Sequence, residues 1–501
     1  MRLHRDERGQ SLAIILGLIT VLFLMGTALA AHISVAIKTT VANEEQAGDL
    51  HAADAGAELG MWWQRNGNPG SPPLQTAANQ INGLDADVRV SISGAVPCPT
   101  PTPLKVTGFE HGVISTSGGA TGLFSAIAGT GTTADTAVAR TGNYSLKVTD
   151  LAGANNATLP IGPAAAVAVV RIYVRLEALP AANVNELLTL DATGGSDLRL
   201  GFQASSRQFT LRFANAAVTL ASSTVSAGTW HRVELRFVAS TNPRRADWQV
   251  DGVAQTAISA TGGGSTVRSI RLGSTVSADS FVATYDDALI SATSGDYPIG
   301  DGTVVGLRPD GMGTNNTPGS FRNNDGTAID ANTYLRLDDS PMTSLTDYVR
   351  QQTIGATNYV EVTFANSVEA CVVGVSGVLA YHAAGTPADR GKASIFDGGT
   401  ERILLNGDMS VTPLTYRVAI VAPAAATWSQ SAVNGLRGRL GYSTDVTPNP
   451  YWDGLLLEVA TGITIPGTVT VTSTAGGSTV TTTYTDVGGA MPTLLSWSTN
   501  R

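Results

Sequence analysis

At 501 residues the chain is too long for one ordinary hydrophobic core. With 14% charged and 6% aromatic residues and 55 glycines, it also lacks the Glu-, Lys- and Leu-rich usage of helical enzymes. A formal net charge of −9 without a basic cluster argues against a nucleic-acid partner. Abundant Thr, Ser, Ala, Val and Gly suit short strands joined by tight turns, so the expected fold class is mainly β.

The first element is a long apolar helix. Between Arg8 and Lys38 no Asp, Glu, Lys or Arg occurs. That run of roughly 29 residues gives about 40 Å of helix at ~1.5 Å per residue, enough to cross a hydrocarbon core of about 30 Å. Arg2, Arg5 and Arg8 precede it, so the positive-inside bias leaves the N-terminus in the cytoplasm and the rest of the chain outside. Thr27-Ala28-Leu29-Ala30-Ala31 offers a signal-peptidase alternative. Against cleavage there, Leu50, Ala53, Ala57 and Met61 continue a helical apolar stripe, and Glu44, His51, Asp54 and Glu58 form a polar one.

The basic leader ending Arg8-Gly9-Gln10-Ser11-Leu12, the apolar run and then Ala52-Ala53-Asp54-Ala55-Gly56-Ala57-Glu58 resemble the N-terminus of type IV pilin-like proteins of the PilX-like kind. The resemblance covers roughly the first 65 residues. It implies a prepilin-peptidase site between Gly9 and Gln10, a single-pass membrane anchor, and pilus or surface-assembly proteins as partners. Major pilins carry a glutamate early in the mature chain, where this sequence has Ala13, Ile14 and Ile15.

Asn66 to Pro73, rich in Gly and Pro, ends the helix. A short strand at 87–92 follows, and then the spacer Pro97-Cys98-Pro99-Thr100-Pro101-Thr102-Pro103. These signals divide the chain into an anchor (1–66), a linker (67–105), a first sandwich (106–298), a second (299–462) and a hairpin tail (463–501). In the first sandwich Ile172, Val174 and Leu176 alternate with charged or polar residues, as do Phe209, Leu211 and Phe213, and Val233, Leu235 and Phe237. Period-two alternation predicts antiparallel sheets packed on one face. Tyr416 to Ile420 and Trp452 to Val459 read as strands of the second sandwich, and Trp452-Asp453-Gly454 echoes Tyr285-Asp286-Asp287. The tail, 468–484, reads as an extra strand pair on the second sandwich or an edge offered to a neighbour.

Gly108-Phe109-Glu110, Gly142 to Val148, Gly228 to Leu235, Trp248 to Gly252 and Tyr285-Asp286-Asp287 are together similar to the laminin-G-like, concanavalin-A-like jelly-roll family. The architecture expected is therefore a membrane α-helix followed by two antiparallel jelly-roll β-sandwich domains. Relatives of this kind bind glycans or proteins or serve as spacers, so glycans are a candidate ligand. The resemblance to jelly-roll carbohydrate-binding modules further implies that Glu110 and Asp287 share a structural calcium ion. The alternative is that both are solvated or paired with arginines.

No HExxH, CxxC, GxSxG or P-loop spacing occurs. His231 beside Trp230 reads as a packed strand histidine. Asp286/Asp287 and Asp338/Asp339 are adjacent in sequence and are expected to point to opposite faces, so neither forms an acid–base couple. Cys98 and Cys371 either bridge or stay free. The expected function is a non-enzymatic, pilin-like display of sandwich modules for adhesion or assembly, with a membrane-anchored lectin as the alternative.

Overall fold

A computed structural model describes nearly all of residues 98–462, together with Ala53, Ala55 and the strands at 79–81, 84–93, 468–475, 478–485 and 493–500. The expected anchor helix, with Gly9 and Gln10, lies outside the described residues. Among the described residues no helix is long and apolar enough to cross a membrane. These residues are mainly β, and every strand pairing is antiparallel.

The chain divides into two compact units. One comprises 1–97 with 464–501, the other 98–463. In the first unit a flanking sheet runs Asn79–Ile81, Leu84–Ser93, Thr468–Ala475, Ser478–Thr485, Thr493–Asn500. Leu84–Ser93 pairs directly with Thr468–Ala475, from Ala86 opposite Ala475 to Ser93 opposite Thr468. The tail hairpin therefore belongs with the strand that precedes the proline spacer. The period-two pattern identified these strands but carried no information about this long-range partner.

The second unit contains two sandwiches. In the first, a nine-stranded sheet centred on Val167–Leu176 and Phe281–Ser291 faces a seven-stranded sheet. The seven-stranded sheet runs Val218–Leu220, Gln208–Phe213, Leu198–Gln203, Val184–Ala192, Val267–Gly273, Asn156–Ala165, Ala126–Ala128. Ile172, Val174, Leu211, Phe213, Leu235, Phe237 and Trp248 fill the space between them. In the second sandwich, Phe321–Asn323, Val349–Gln351, Pro450–Thr461, Val372–Ala383 and Thr415–Ile420 form one layer, with Val304–Leu307 also paired to Pro450–Thr461. Tyr359–Phe364, Arg437–Tyr442 and their neighbours form the other. The echo seen in sequence corresponds to equivalent positions: Phe281–Ser291 and Pro450–Thr461 each pair with three strands.

One-sided packing fails at the middle of the nine-stranded sheet. Arg171, Glu234 and Asp286, on the side away from the apolar core, are fully buried: Thr461 of the second sandwich meets Arg171, Gly300 of the 297–304 connection meets Glu234, and the backbone of Arg140 meets Asp286. Arg171 Nη1 donates to the Thr461 carbonyl at 3.3 Å. Gly302 lies so close that a Cβ would stand 1.9 Å from that same carbonyl oxygen, so the connection tolerates no side chain there. Val106, Val169, Leu289, Ile299, Val304, Cys371, Val373 and Ala460 form an apolar cluster shared by both sandwiches.

Cys98 and Cys371 form a disulfide. Gly462 N donates to the Cys371 carbonyl at 3.0 Å, so the first and last residues of the 98–462 body meet at one place. We expect a fragment spanning 98–463 to unfold in one cooperative step. A native disulfide typically contributes about 2–4 kcal/mol, so replacing Cys98 and Cys371 by serine should lower its unfolding free energy by at least that amount in denaturant titrations.

Candidate functional site

The residues singled out in sequence meet at one loop, 140–144. Arg140 N donates to Asp286 Oδ2 at 2.8 Å, and Arg140 Nη1 to Asp287 Oδ2 at 2.6 Å. Thr141 Oγ1 donates to Asp287 Oδ1 at 2.6 Å, and Val304 N donates to the same oxygen. Asn143 N donates to Glu110 Oε2 at 3.0 Å and Tyr144 N to Oε1 at 3.4 Å. Gly142, at φ 66°, brings the backbone against the Glu110 carboxylate, where a Cβ would clash at 2.1 Å.

Asp286 and Asp287 do not project to opposite faces as expected. Asp287 has φ 52°, and the strand register breaks between Asp286 and Leu289, a bulge that turns both carboxylates toward Arg140 and Thr141. Burial, then the neighbouring Asp287, raises the Asp286 carboxyl well above the usual carboxylate range. Asp338 and Asp339 present their backbone carbonyls to Arg308 Nη1. His231 is packed, as expected: Nδ1 meets Asp251 Oδ2 at 2.8 Å, and Ser226 N donates to Nε2.

Glu110 is 1% exposed, and burial pushes its carboxyl up to about 8, with Glu458 adding to the rise. Glu110 N and Thr107 Oγ1 both donate to Glu458 Oε1, at 2.8 and 3.2 Å. Burial lowers the Lys105 ammonium to about 8, opposed by the same Glu458. Both residues of the calcium expectation thus reach one loop. Asp287 is met by the Arg140 guanidinium, and among the described residues no group of three His, Cys, Asp or Glu side chains is placed to hold a metal ion.

A different surface has the character of a ligand face. Arg212, Arg199, Thr189, Arg271 and Thr158 stand directly opposite one another across five strands of the seven-stranded sheet. Their sequence neighbours Leu211, Leu200, Leu188 and Leu272 point into the core, which puts the row on the outer face. Arg199 pairs with Glu186 at 2.8 Å and Arg271 with Asp191 at 2.8 Å. Arg212 has no ion pair among the described residues and reaches only the Asn185 carbonyl, at 3.5 Å. The Thr189 hydroxyl and the Nε atoms of Arg199, Arg212 and Arg271 are buried without a hydrogen-bond partner among the described residues. In sequence, Arg212 belongs to the polar half of its strand's alternation, and nothing singles out Arg199 or Arg271. Laying the strands side by side in register was the signal that would have joined them.

No protein-family model matches the chain, and no curated protein does. Solved structures do. A cellulose-induced protein, Cip1, is 18% identical over 38% of this chain and 97% of its own, with a TM-score of 0.30. Trypanosoma rangeli sialidase in complex with the inhibitor DANA is 17% identical, with a TM-score of 0.25, over 33% of this chain and 28% of its own. A further sialidase is 13% identical with a TM-score of 0.26, and the chain spans 17% of its length.

Two outcomes follow. Because the folded body keeps a proton on Glu110 that the unfolded chain releases near pH 4.5, its stability should fall as pH rises from about 4.5 to 8. Glu110→Gln should flatten that dependence in urea titrations. Melting of the 98–463 body should be the same with and without a chelator, as pairing of Asp287 with Arg140 requires. A lower melting temperature on chelation would instead assign calcium to Glu110 and Asp287.

Proposed function

We propose that this chain is a membrane-anchored, pilin-like surface protein that displays a two-sandwich binding body and has no catalytic centre of its own. The observation that supports it best is the insertion. Residues 98–463, with cores of their own, enter between Leu84–Ser93 and Thr468–Ala475, two strands that remain hydrogen-bonded neighbours. Such an arrangement adds a large body to a small framework while leaving the framework's sheet continuous, which suits display. The leader, the apolar run and the Ala-rich acidic stretch supply the anchor in this reading, with Gly9 and Gln10 flanking the processing site. Glu110 and Asp287 act as a lock between sandwiches rather than as a cation site.

A lectin-type role is the second reading, and the Arg212-to-Thr158 row favours it through its unpartnered polar atoms. Exposed aromatic rings, on which sugars stack, would favour a lectin more strongly, whereas this row carries guanidinium and hydroxyl groups.

Protease added to intact cells should remove everything beyond about residue 70, and shearing of filaments should separate a pilus-borne protein from a membrane-borne one. Complete protection of the region beyond residue 70 would overturn the proposal.

A further inference from the structure

The second sandwich carries a row that the reading above leaves unused. Arg322 stands opposite Arg350, Arg350 opposite Tyr451, and Tyr451 opposite His382, across four adjacent strands of the six-stranded sheet. Directly opposed residues share a face. Val349, Trp452 and Tyr381, which alternate with them, belong to the core. The four residues therefore line the outer face, each half-buried.

The rings are organised. His382 stacks on Tyr451 with centroids 4.6 Å apart and planes 17° apart. Tyr348 meets Tyr451 edge-on at 4.7 Å. His382 Nδ1 lies 2.7 Å from Asp453 Oδ2, and Asp453 is 1% exposed. That contact fixes the imidazole and leaves Nε2 on the side of the ring away from the carboxylate. A register shift between Ala380 and Tyr381 accompanies the contact of Asp453 with the His382 Nδ1 edge, the kind of irregularity that re-aims side chains at sites. Asp453 Oδ1 itself is buried without a hydrogen-bond partner.

The charges are unmatched. Neither Arg322 nor Arg350 has an ion pair among the described residues: Arg322 Nη1 donates only to its neighbour's carbonyl, and Arg350 Nε is buried without a partner. In a chain of net charge −9, two uncompensated guanidinium groups beside a ring cluster form a local anion-attracting spot.

We propose that Arg322, Arg350, Tyr348, Tyr451 and His382 bind an acidic sugar, the guanidinium groups taking its carboxylate and the rings its apolar face. A guanidinium presents a planar fork that matches a carboxylate. Tyrosine rings offer apolar faces of the kind pyranose C–H groups cover. The ring cluster fixes the orientation of the sugar, and His382 Nε2 is placed to meet a hydroxyl. This site is on the other sandwich from the Arg212-to-Thr158 row and does not rest on surface display.

The test is titration calorimetry on the full chain in detergent, with trigalacturonic acid and with the neutral maltotriose as probes. Trigalacturonic acid should bind at least tenfold more tightly than maltotriose. Arg350→Gln and Tyr451→Ala should each weaken it tenfold or more, and Arg268→Gln, at an exposed position of the first sandwich, should leave it unchanged. Arg322→Gln, at the end of the row, serves as the check if Tyr451→Ala lowers the melting temperature. Equal affinity for both sugars, no binding of either, or unchanged affinity in both Arg350→Gln and Tyr451→Ala would each overturn the assignment.

Discussion

The Glu458 carboxylate is withdrawn from water between two sandwiches, and the architecture of the 98–463 body depends on how it is satisfied. A buried charge is tolerated only with partners around it. Here the Thr107 hydroxyl and the Glu110 backbone N–H come from the first sandwich to meet a glutamate of the second. Ser376 Oγ donates back to the Val106 carbonyl at 3.0 Å, and Arg308 Nη2 to the Glu110 carbonyl at 2.9 Å. Apolar contact alone would let two sheets slide over each other, whereas these directional bonds select one register. The sandwiches behave as one body because their polar groups are complementary, and the surrounding valines and leucines seal them from solvent.

That seam also decides where ligands can act. Glu110, Asp286, Asp287 and Glu458 are all at most 1% exposed, so four carboxylates concentrated in one region are closed to substrate. Burial is the main cause of the raised titration of Glu110 and Asp286. On one outer face of each sandwich, by contrast, arginines stand in register, Arg212 beside Arg199 and Arg322 beside Arg350.

Strand periodicity was legible because each core-facing residue obeys it: Val233, Leu235 and Phe237 are buried just as alternation requires. The same rule misread Arg171, Glu234 and Asp286, since a period of two reports which residues share a face and not whether a second layer covers it. The pairing of the tail with the strand at 84–93 was illegible for a related reason. Hydrogen-bonded partners separated by almost the whole chain leave no local trace. Glu110 and Asp287 were found together through motif resemblance, yet Arg140, which meets Asp287, lies in a stretch with no pattern of its own. The bulge at Asp287 needed a positive φ at a non-glycine residue, which sequence reading assigns by default to extended strand.

The meeting of Cys98, Cys371 and Gly462 has a mechanical side. Chain entry and chain exit of the body are fastened at a common point, one covalently and the other by a main-chain hydrogen bond to the same residue. Tension drawn along the polypeptide from the N-terminal side to the C-terminal side passes from Leu84–Ser93 into Thr468–Ala475 through the ladder those strands share. The inserted residues form a side branch off that line of force. A pull transmitted through the flanking sheet therefore reaches neither core until the ladder itself has parted, and even then the disulfide shortens the segment that can be drawn out.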